Sequence, residues 1–290
     1  PTPHRHIWQA LSFWIQSKTN MSKIMYLFAL VCALTCHEAT AKDFIVLQST
    51  TSTKNSGLYD HLIPLAEATL DVEIRVVAVG TGQALRNAQN CDADVLIVHA
   101  KQAEEAFVAA GFGIKRHDLM YNDFVLIGPN GDPASVMETQ NLSAAFGSIA
   151  KKSAKFASRG DDSGTHKKER VLWAASVHDP LPESGTWYLE TGSGMGATLN
   201  IAVELGAYTL SDRATWLTFQ NKRNHRIVYQ NDPLLFNQYG VIAVSPDHCP
   251  KTKTKAADRF ITWLLGSDGQ SAIAAHTLDG QALFTPNAQP

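Results

Sequence analysis

The chain has little charge to spare and few cysteines. Of its 290 residues 18% are charged, 25 Lys and Arg nearly cancel 27 Asp and Glu, and the formal net charge is −2. That leaves no basic field to hold a nucleic-acid backbone, so no nucleic-acid partner is expected. The 4 cysteines show no C-x-x-C spacing. H-E-x-x-H, G-x-S-x-G and G-x-x-x-x-G-K-[ST] are also missing, so thiol redox, zinc hydrolysis, α/β-hydrolase chemistry and P-loop binding lack a motif. No internal repeat, low-complexity tract or charge block is present, and an apolar content of 44% argues against disorder.

Long hydrophobic runs are scarce too. Ile24 to Cys36, broken only by Thr35, would cover about 20 Å as a helix, short of the ~30 Å hydrocarbon layer, so a permanent span is not expected. The run follows Met21-Ser22-Lys23 and precedes the small-x-small pattern Ala39-Thr40-Ala41. Residues 21–41 therefore read as a secretory signal peptide cleaved after Ala41, with a buried N-terminal helix as the alternative. Residues 1–20 read as a misread or non-native leader. A lipid anchor on Cys36 is a further option, although Thr35 stands where lipoprotein signals use a small residue. Export would remove Arg5, Lys18, Lys23 and Glu38 and leave the protein mildly acidic. Cys91 and Cys249 remain; an oxidising compartment lets them pair if the fold brings them together, and two buried free thiols are the alternative.

From Phe44 onward, β-branched runs alternate with helical patterns, which predicts parallel strands with crossover helices. Strands are expected at Phe44–Leu47, Val72–Val79, Val95–Val98 and Phe124–Gly128, and helices at Leu58–Ala68, Gln83–Ala88 and Ala103–Ala110. A second unit follows, with strands at Lys155–Ser158, Trp187–Glu190, Ala207–Leu210 and Arg226–Tyr229. Its helices fall at Leu142–Lys152, Thr165–Ala175 and Met195–Leu205. Val241–Val244 is a last strand, and helices at Ala256–Leu265 and Gly269–Ala275 close the chain. Two α/β lobes result, residues 42–123 with 241–290 and residues 124–240. Phe124–Ile127 and Val241–Val244 are expected to carry the chain between them, with a cleft in the middle.

Four loops rich in Ser, Thr and Gly each follow a strand and precede a helix: Q-S-T-T-S-T-K-N-S-G (48–57), G-T-G-Q-A (80–84), S-R-G-D-D-S-G-T (158–165) and T-G-S-G-M-G (191–196). Helix N-termini present unpaired N–H groups and partial positive charge, hydroxyls add neutral donors, and glycine permits close approach. In an open α/β sheet such corners lie at the carboxyl ends of the strands, where ligands bind. Singly each corner is an ordinary helix cap or turn. Four together predict one oxyanion in the cleft, with Arg159 as a guanidinium fork unless it pairs with Asp161 or Asp162. His99 and His166 have no metal-ligand partner at close spacing and read as packing or surface residues, and Asp92 and Asp94 as strand-entry residues. No metal cation site and no cofactor are expected.

The stretches T-T-S-T-K-N-S-G-L (50–58), A-V-G-T-G-Q-A-L (78–85), D-A-D-V-L-I-V-H-A (92–100), M-Y-N-D-F-V-L-I-G-P (120–129), S-R-G-D-D-S-G-T-H-K-K-E (158–169) and Y-G-V-I-A-V (239–244) resemble the tungstate-binding proteins of bacterial ABC uptake systems. The resemblance runs from about residue 44 to the C-terminus. It implies a periplasmic-binding-protein fold of two lobes, hinged by two crossover strands around an interlobe cleft. It also implies a periplasmic, monomeric, non-enzymatic protein that delivers tungstate to a membrane permease. Carried over residue by residue, it makes Thr51, Ser52, Thr81, Gly82, Arg159, Ser163 and Thr165 oxyanion contacts, with Ser193, Gly194 and Met195 as a fourth group. Ser49, Asn55 and Ser193 depart from the family's more usual Thr, Asp and Gln. Molybdate, sulfate and phosphate are the competing ligands. A secreted phosphate- or sulfate-ester hydrolase with Ser52 or Ser163 as nucleophile is the competing class, but it would need a base or metal that the sequence does not supply.

Overall fold

The computed structural model describes residues 43–289; the expected leader, the signal peptide and Cys36 lie outside them. Among the described residues no helix is long and apolar enough to cross a membrane.

The first half is built as the alternation requires. Strand β1 (Phe44–Thr50) runs into the short helix α1 (Thr51–Asn55), and α2 (Leu58–Leu70) leads to β2 (Glu73–Val79). Helix α3 (Thr81–Gln89) leads to β3 (Val95–Val98), which is followed by α4 (Lys101–Ala109). β1 pairs in parallel with β2 on one side and β3 on the other, so all three strands end on the same edge. Corners 48–57 and 80–84 therefore lie side by side. The apolar faces of these elements close on a core that includes Ile45, Leu47, Leu62, Tyr239, Phe260 and Leu264.

Strand β4 (Gly113–Pro129, 17 residues) joins the two halves. Its first part, Gly113–Asp123, runs antiparallel to β9 (Phe236–Val244), and its last part pairs with β7 (Thr209–Asp212) and β8 (His225–Tyr229). The polar stretch Lys115-Arg116-His117-Asp118, which carries no strand signal, thus lies within the first part of this strand. Arg116 is tolerated there because Glu104 and Asp118 pair with it. Val241–Val244 lies inside the first sheet, between β3 and β4.

In the second half α5 (Leu142–Lys151), β5 (Phe156–Ser158), α6 (Gly164–Ala175), β6 (Tyr188–Glu190), α7 (Met195–Leu205) and α8 (Arg213–Thr218) follow one another. β5 and β6 are parallel, which aligns the two corners that follow them. The core here is aromatic: Trp173 meets Phe146 and Phe156 edge-on with centroids 4.7 and 5.2 Å apart, a favoured geometry for paired rings. Helices α9 (Thr254–Leu265) and α10 (Ser267–Ala275) return to the first core. Cys91 and Cys249 form a disulfide with Cα atoms 5.4 Å apart, which decides between the two alternatives left by the sequence.

Candidate functional site

Each corner is a strand end turning into a helix. At the first, Thr50 caps α1, its hydroxyl accepting Thr53 N–H at 3.3 Å. At the second, Gly80 caps α3 in an extended conformation without a side-chain bond. At the third, Ser163 caps α6 and accepts His166 N–H at 3.2 Å. At the fourth, Gly194 opens α7. A Cβ at Gly80 would meet Asp161 and Ser163, and one at Gly194 would meet Thr51, at ordinary van der Waals distance, so these two caps lie directly against the neighbouring corners.

The four corners meet. Arg159, only 2% exposed, donates from Nη2 to Thr51 Oγ1 at 3.4 Å and from Nε to the Ser193 carbonyl at 3.2 Å. The first, third and fourth corners are joined through this one guanidinium. The second reaches the third by backbone: Gly82 N–H donates to Asp162 O at 3.2 Å, and a Cβ on Gly82 would collide with that residue, its carboxylate included. Gly82 is therefore required by close approach rather than by an unusual backbone angle.

The expected residues do different things. Ser52, Thr81 and Thr165 are fully buried, and Thr81 Oγ1 and Thr165 Oγ1 have no hydrogen-bond partner. Thr51 Oγ1 accepts from Arg159, which leaves its own hydrogen to give. Ser163 Oγ is engaged as a cap. Ser193 contributes its carbonyl to Arg159, while its hydroxyl donates to Thr191 O at 3.1 Å. The Met195 side chain packs with Val125, Ile127, Leu199 and Trp216, so only its backbone belongs to the corner.

Three further residues enter. Asp161 pairs with Arg159 and accepts Ser163 N–H at 3.2 Å, so both its oxygens are committed. Asp212 is completely buried; Oδ1 caps α8 through Thr215 N–H at 2.9 Å, and Oδ2 is without a partner. Burial pushes the Asp212 carboxyl upward, whereas the Thr215 hydrogen bonds and Arg159 pull it down. Burial also pulls Arg159 below its usual value, opposed by Asp161 and then Asp212. His99, at the carboxyl end of β3, is the third: its Nε2 lies 3.2 Å from Ser52 Oγ. Expected from the sequence as a packing or surface residue, His99 is packed and also touches the first corner.

Beneath the third corner Glu169 anchors Arg159's strand. Its carboxylate accepts from Ser158 Oγ (2.8 Å), Tyr188 Oη (2.7 Å) and Trp173 Nε1 (3.2 Å), and burial pushes it up to about 7 against those bonds. A cavity of about 920 Å³ opens beside the site, lined by His99, Asp162, Gly164, His166, Lys167 and Asn237 among others. The unpartnered hydroxyls and Arg159 are sealed away from it. The arrangement can hold a small group bearing several acceptors: it has buried donors, one shared guanidinium and helix N-termini. Ser52 Oγ lies beside His99 Nε2, and Ser163 is held by Asp161 through its N–H while its hydroxyl caps α6; among the described residues the only metal-type cluster is Cys91, His248 and Cys249, whose cysteines are bonded to each other.

A two-lobed α/β chain with strand-to-helix corners meeting in its middle defines a class of protein, and the PBP superfamily domain matches residues 35–268. The chain belongs to this superfamily and, within it, to the family of the tungstate-binding protein TupA. It is 46% identical to that protein of Peptoclostridium acidaminophilum over 252 residues, which are 86% of this chain and 87% of the relative. Two solved structures agree. The tungstate binding protein TupA from Desulfovibrio alaskensis G20 is 47% identical, with a TM-score of 0.71 and coverage of 85% of this chain and 100% of that one. The tungstate ABC transporter structure from Geobacter sulfurreducens is 43% identical, with a TM-score of 0.72 over 79% and 97%.

Proposed function

We propose that the chain is a periplasmic solute-binding protein, exported through the cleaved segment 21–41, that captures tungstate in its cleft and hands it to an ABC permease without transforming it. The observation that carries the reading is the pair of buried, unpartnered hydroxyls of Thr81 and Thr165 at corners that meet beside Arg159. Buried polar groups are ordinarily paired, and an orphan costs roughly 1–3 kcal/mol. An oxyanion supplies acceptors to both. Thr51, Ser52, Thr81, Arg159, Ser163 and Thr165 form the proposed shell, with Gly82, whose N–H is given to Asp162 O in the sealed site, and the backbone of Ser193, Gly194 and Met195 at its edge. The names of the relatives support tungstate as the ligand. The lobes are proposed to divide at 42–123 with 241–290 and at 124–240, opening about β4 and β9 to admit an ion to a site that is now sealed.

Tungstate carries no proton at neutral pH and offers acceptors only, so a shell of donors selects it over hydrogen phosphate. Six charge-assisted bonds of roughly 1.5–3 kcal/mol each, values already net of desolvation, sum to about 9–18 kcal/mol, a range that includes the roughly −12 kcal/mol of a nanomolar affinity. Titration calorimetry with tungstate, molybdate, sulfate and phosphate tests the reading: tungstate and molybdate should bind in the nanomolar range and phosphate at least about a hundredfold more weakly, while sulfate, also an acceptor-only dianion, reads whether the shell selects by size as well. Absence of heat with all four would end it. A second reading has one observation in its favour. Asp212 Oδ2, buried and unpartnered, could accept the proton of hydrogen phosphate, and phosphate binding tightest in the same panel would select that alternative.

Thr81→Val separates a ligand hydroxyl from a merely buried one. Removing an orphan hydroxyl at constant shape should raise the stability of the ligand-free protein by up to about 1 kcal/mol, while tungstate affinity falls about tenfold. If calorimetry finds affinity unchanged, Thr81 is no contact.

A further inference from the structure

A buried hydrogen-bond chain starts at the first corner and runs away from it. His99 Nε2 lies 3.2 Å from Ser52 Oγ, its Nδ1 lies 3.0 Å from Asn237 Oδ1, and Asn237 Nδ2 donates to Asn122 Oδ1 at 2.7 Å. Asn122 and Asn237 face each other across β4 and β9, the two strands that join the halves of the molecule. The ring is fixed: it stacks on Tyr239 with centroids 4.8 Å apart, and α6 begins against it, since a Cβ on Gly164 would lie 2.8 Å from Cε1. Burial pulls the imidazole down to about 4, helped by the nearby charges of Arg159 and Lys168 and opposed by the Asn237 hydrogen bond. The ring is therefore neutral, with one N–H and one bare nitrogen.

That single proton decides what Ser52 can offer a ligand. If Asn237 turns its oxygen to Nδ1, then Nδ1 carries the hydrogen, Nε2 is bare, and the Ser52 hydroxyl is spent on Nε2. Its lone pairs then face the cleft, where an acceptor-only anion cannot use them. In that arrangement Asn122 Nδ2, a buried donor, is also left without a partner; the turned amide puts its carbonyl oxygen there instead, and an unmatched buried acceptor is the more commonly tolerated of the two. Turning both amides end for end, which leaves their shape unchanged, reverses every bond. Asn122 then donates to Asn237, Asn237 to Nδ1, and Nε2–H to Ser52. The hydroxyl hydrogen is left with a choice between Thr50 Oγ1, 3.2 Å away, and the ligand, and an anion is the stronger acceptor.

We propose that His99 is a positioning residue for oxyanion capture: in the loaded protein it holds its proton on Nε2 and so directs the Ser52 hydroxyl hydrogen into the cleft. The inference rests on the oxyanion reading above and adds the residue that sets the direction of one donor. Anions that bring their own proton would favour the opposite direction, so the chain Asn122–Asn237–His99–Ser52 also contributes to selectivity.

Long-range proton–nitrogen correlation spectra of histidine-labelled wild-type protein, loaded with tungstate, read the tautomer directly. His99 should be neutral with the hydrogen on Nε2; the Nδ1–H form in the loaded protein would overturn the proposal. Calorimetry supplies the second readout. Ser52→Ala and His99→Phe should each weaken tungstate binding about tenfold, the loss of one hydrogen bond to a charged partner, and the double variant should be no more than about twofold worse than Ser52→Ala. Additive losses near a hundredfold would show that His99 acts independently of Ser52, against the proposal. His99→Gln, whose side-chain amide can still donate toward Ser52, should recover most of the loss. Should His99→Phe fail to fold, the wild-type spectrum still decides. Failure of the oxyanion reading looks different: the wild-type protein would then give no tungstate heat at all, and the inference would fall with it.

Discussion

Replacing Arg159 by alanine should weaken tungstate binding at least about a hundredfold while the protein stays folded. Two effects add. The ligand loses a buried guanidinium, whose charge-assisted bonds contribute roughly 1.5–3 kcal/mol each. Asp161, which now pairs with Arg159 and is 15% exposed at its side chain, would be left as an unbalanced negative charge facing a dianion. Breaking a buried pair by removing one partner costs about 3–5 kcal/mol in stability, so the melting temperature should fall as well. Arg159→Ala with Asp161→Asn resolves the two contributions: stability should largely return, because the stranded carboxylate is gone, whereas affinity should remain depressed. Arg159→Lys keeps the charge but not the fork that spans Thr51 and Ser193, so it should fall between wild type and alanine. Circular dichroism and calorimetry on the four proteins are sufficient. Wild-type affinity in a folded Arg159→Ala protein would remove the guanidinium from the site.

How much of this was legible beforehand depends on where each residue's partner sits. β3 and α7 were read from the sequence at the residues where they occur: Val95–Val98 is an apolar run bounded by Asp94 and His99, and Met195–Leu205 lies between Gly194 and Gly206. Local signals suffice in such cases. The first part of β4 is not legible locally, because Lys115 to Asp118 look like a loop until Glu104 and strand β9 are placed beside them, a tertiary fact. Helix α1 looks like loop in the sequence, since five residues with three hydroxyls carry no periodicity and the Thr50 cap is their main local support.

At the site, corners rich in Ser, Thr and Gly announced themselves, but the division of labour within them did not. Whether Ser193 gives its hydroxyl or its carbonyl, and whether Met195 turns inward to Trp216, is settled by packing. Asp212 does have a local signal: it ends β7 and caps α8, the same strand-to-helix corner written with an acid. His99 likewise ends a strand on the binding edge, which a search of strand ends rather than of metal-type spacings would have found.

The other large effect concerns stability. Cys91 and Cys249 are separated by 158 positions, and closing a loop of that length removes unfolded-state entropy worth about 5 kcal/mol in the simple chain model, with 2–4 kcal/mol more usual in practice. The bridge ties the end of α3, through Cys91, to the segment that follows β9, and Cys249 is buried against Ala88, Leu96 and Phe107. Replacing both cysteines by alanine should therefore lower the melting temperature by roughly 5–15 °C for a domain of this size. Reduction of the wild-type protein by a dithiol should do the same. Binding should be nearly untouched. The proposed contacts sit at the N-terminus of α3, and Cys91 lies beyond its C-terminus, about 13 Å along a nine-residue helix. Tungstate affinity within about threefold of wild type, in a protein that melts well below it, is the expected pair of results. A large loss of affinity would mean instead that the bridge holds the α3 corner in register with Asp162, and that the second corner of the site is positioned from its far end.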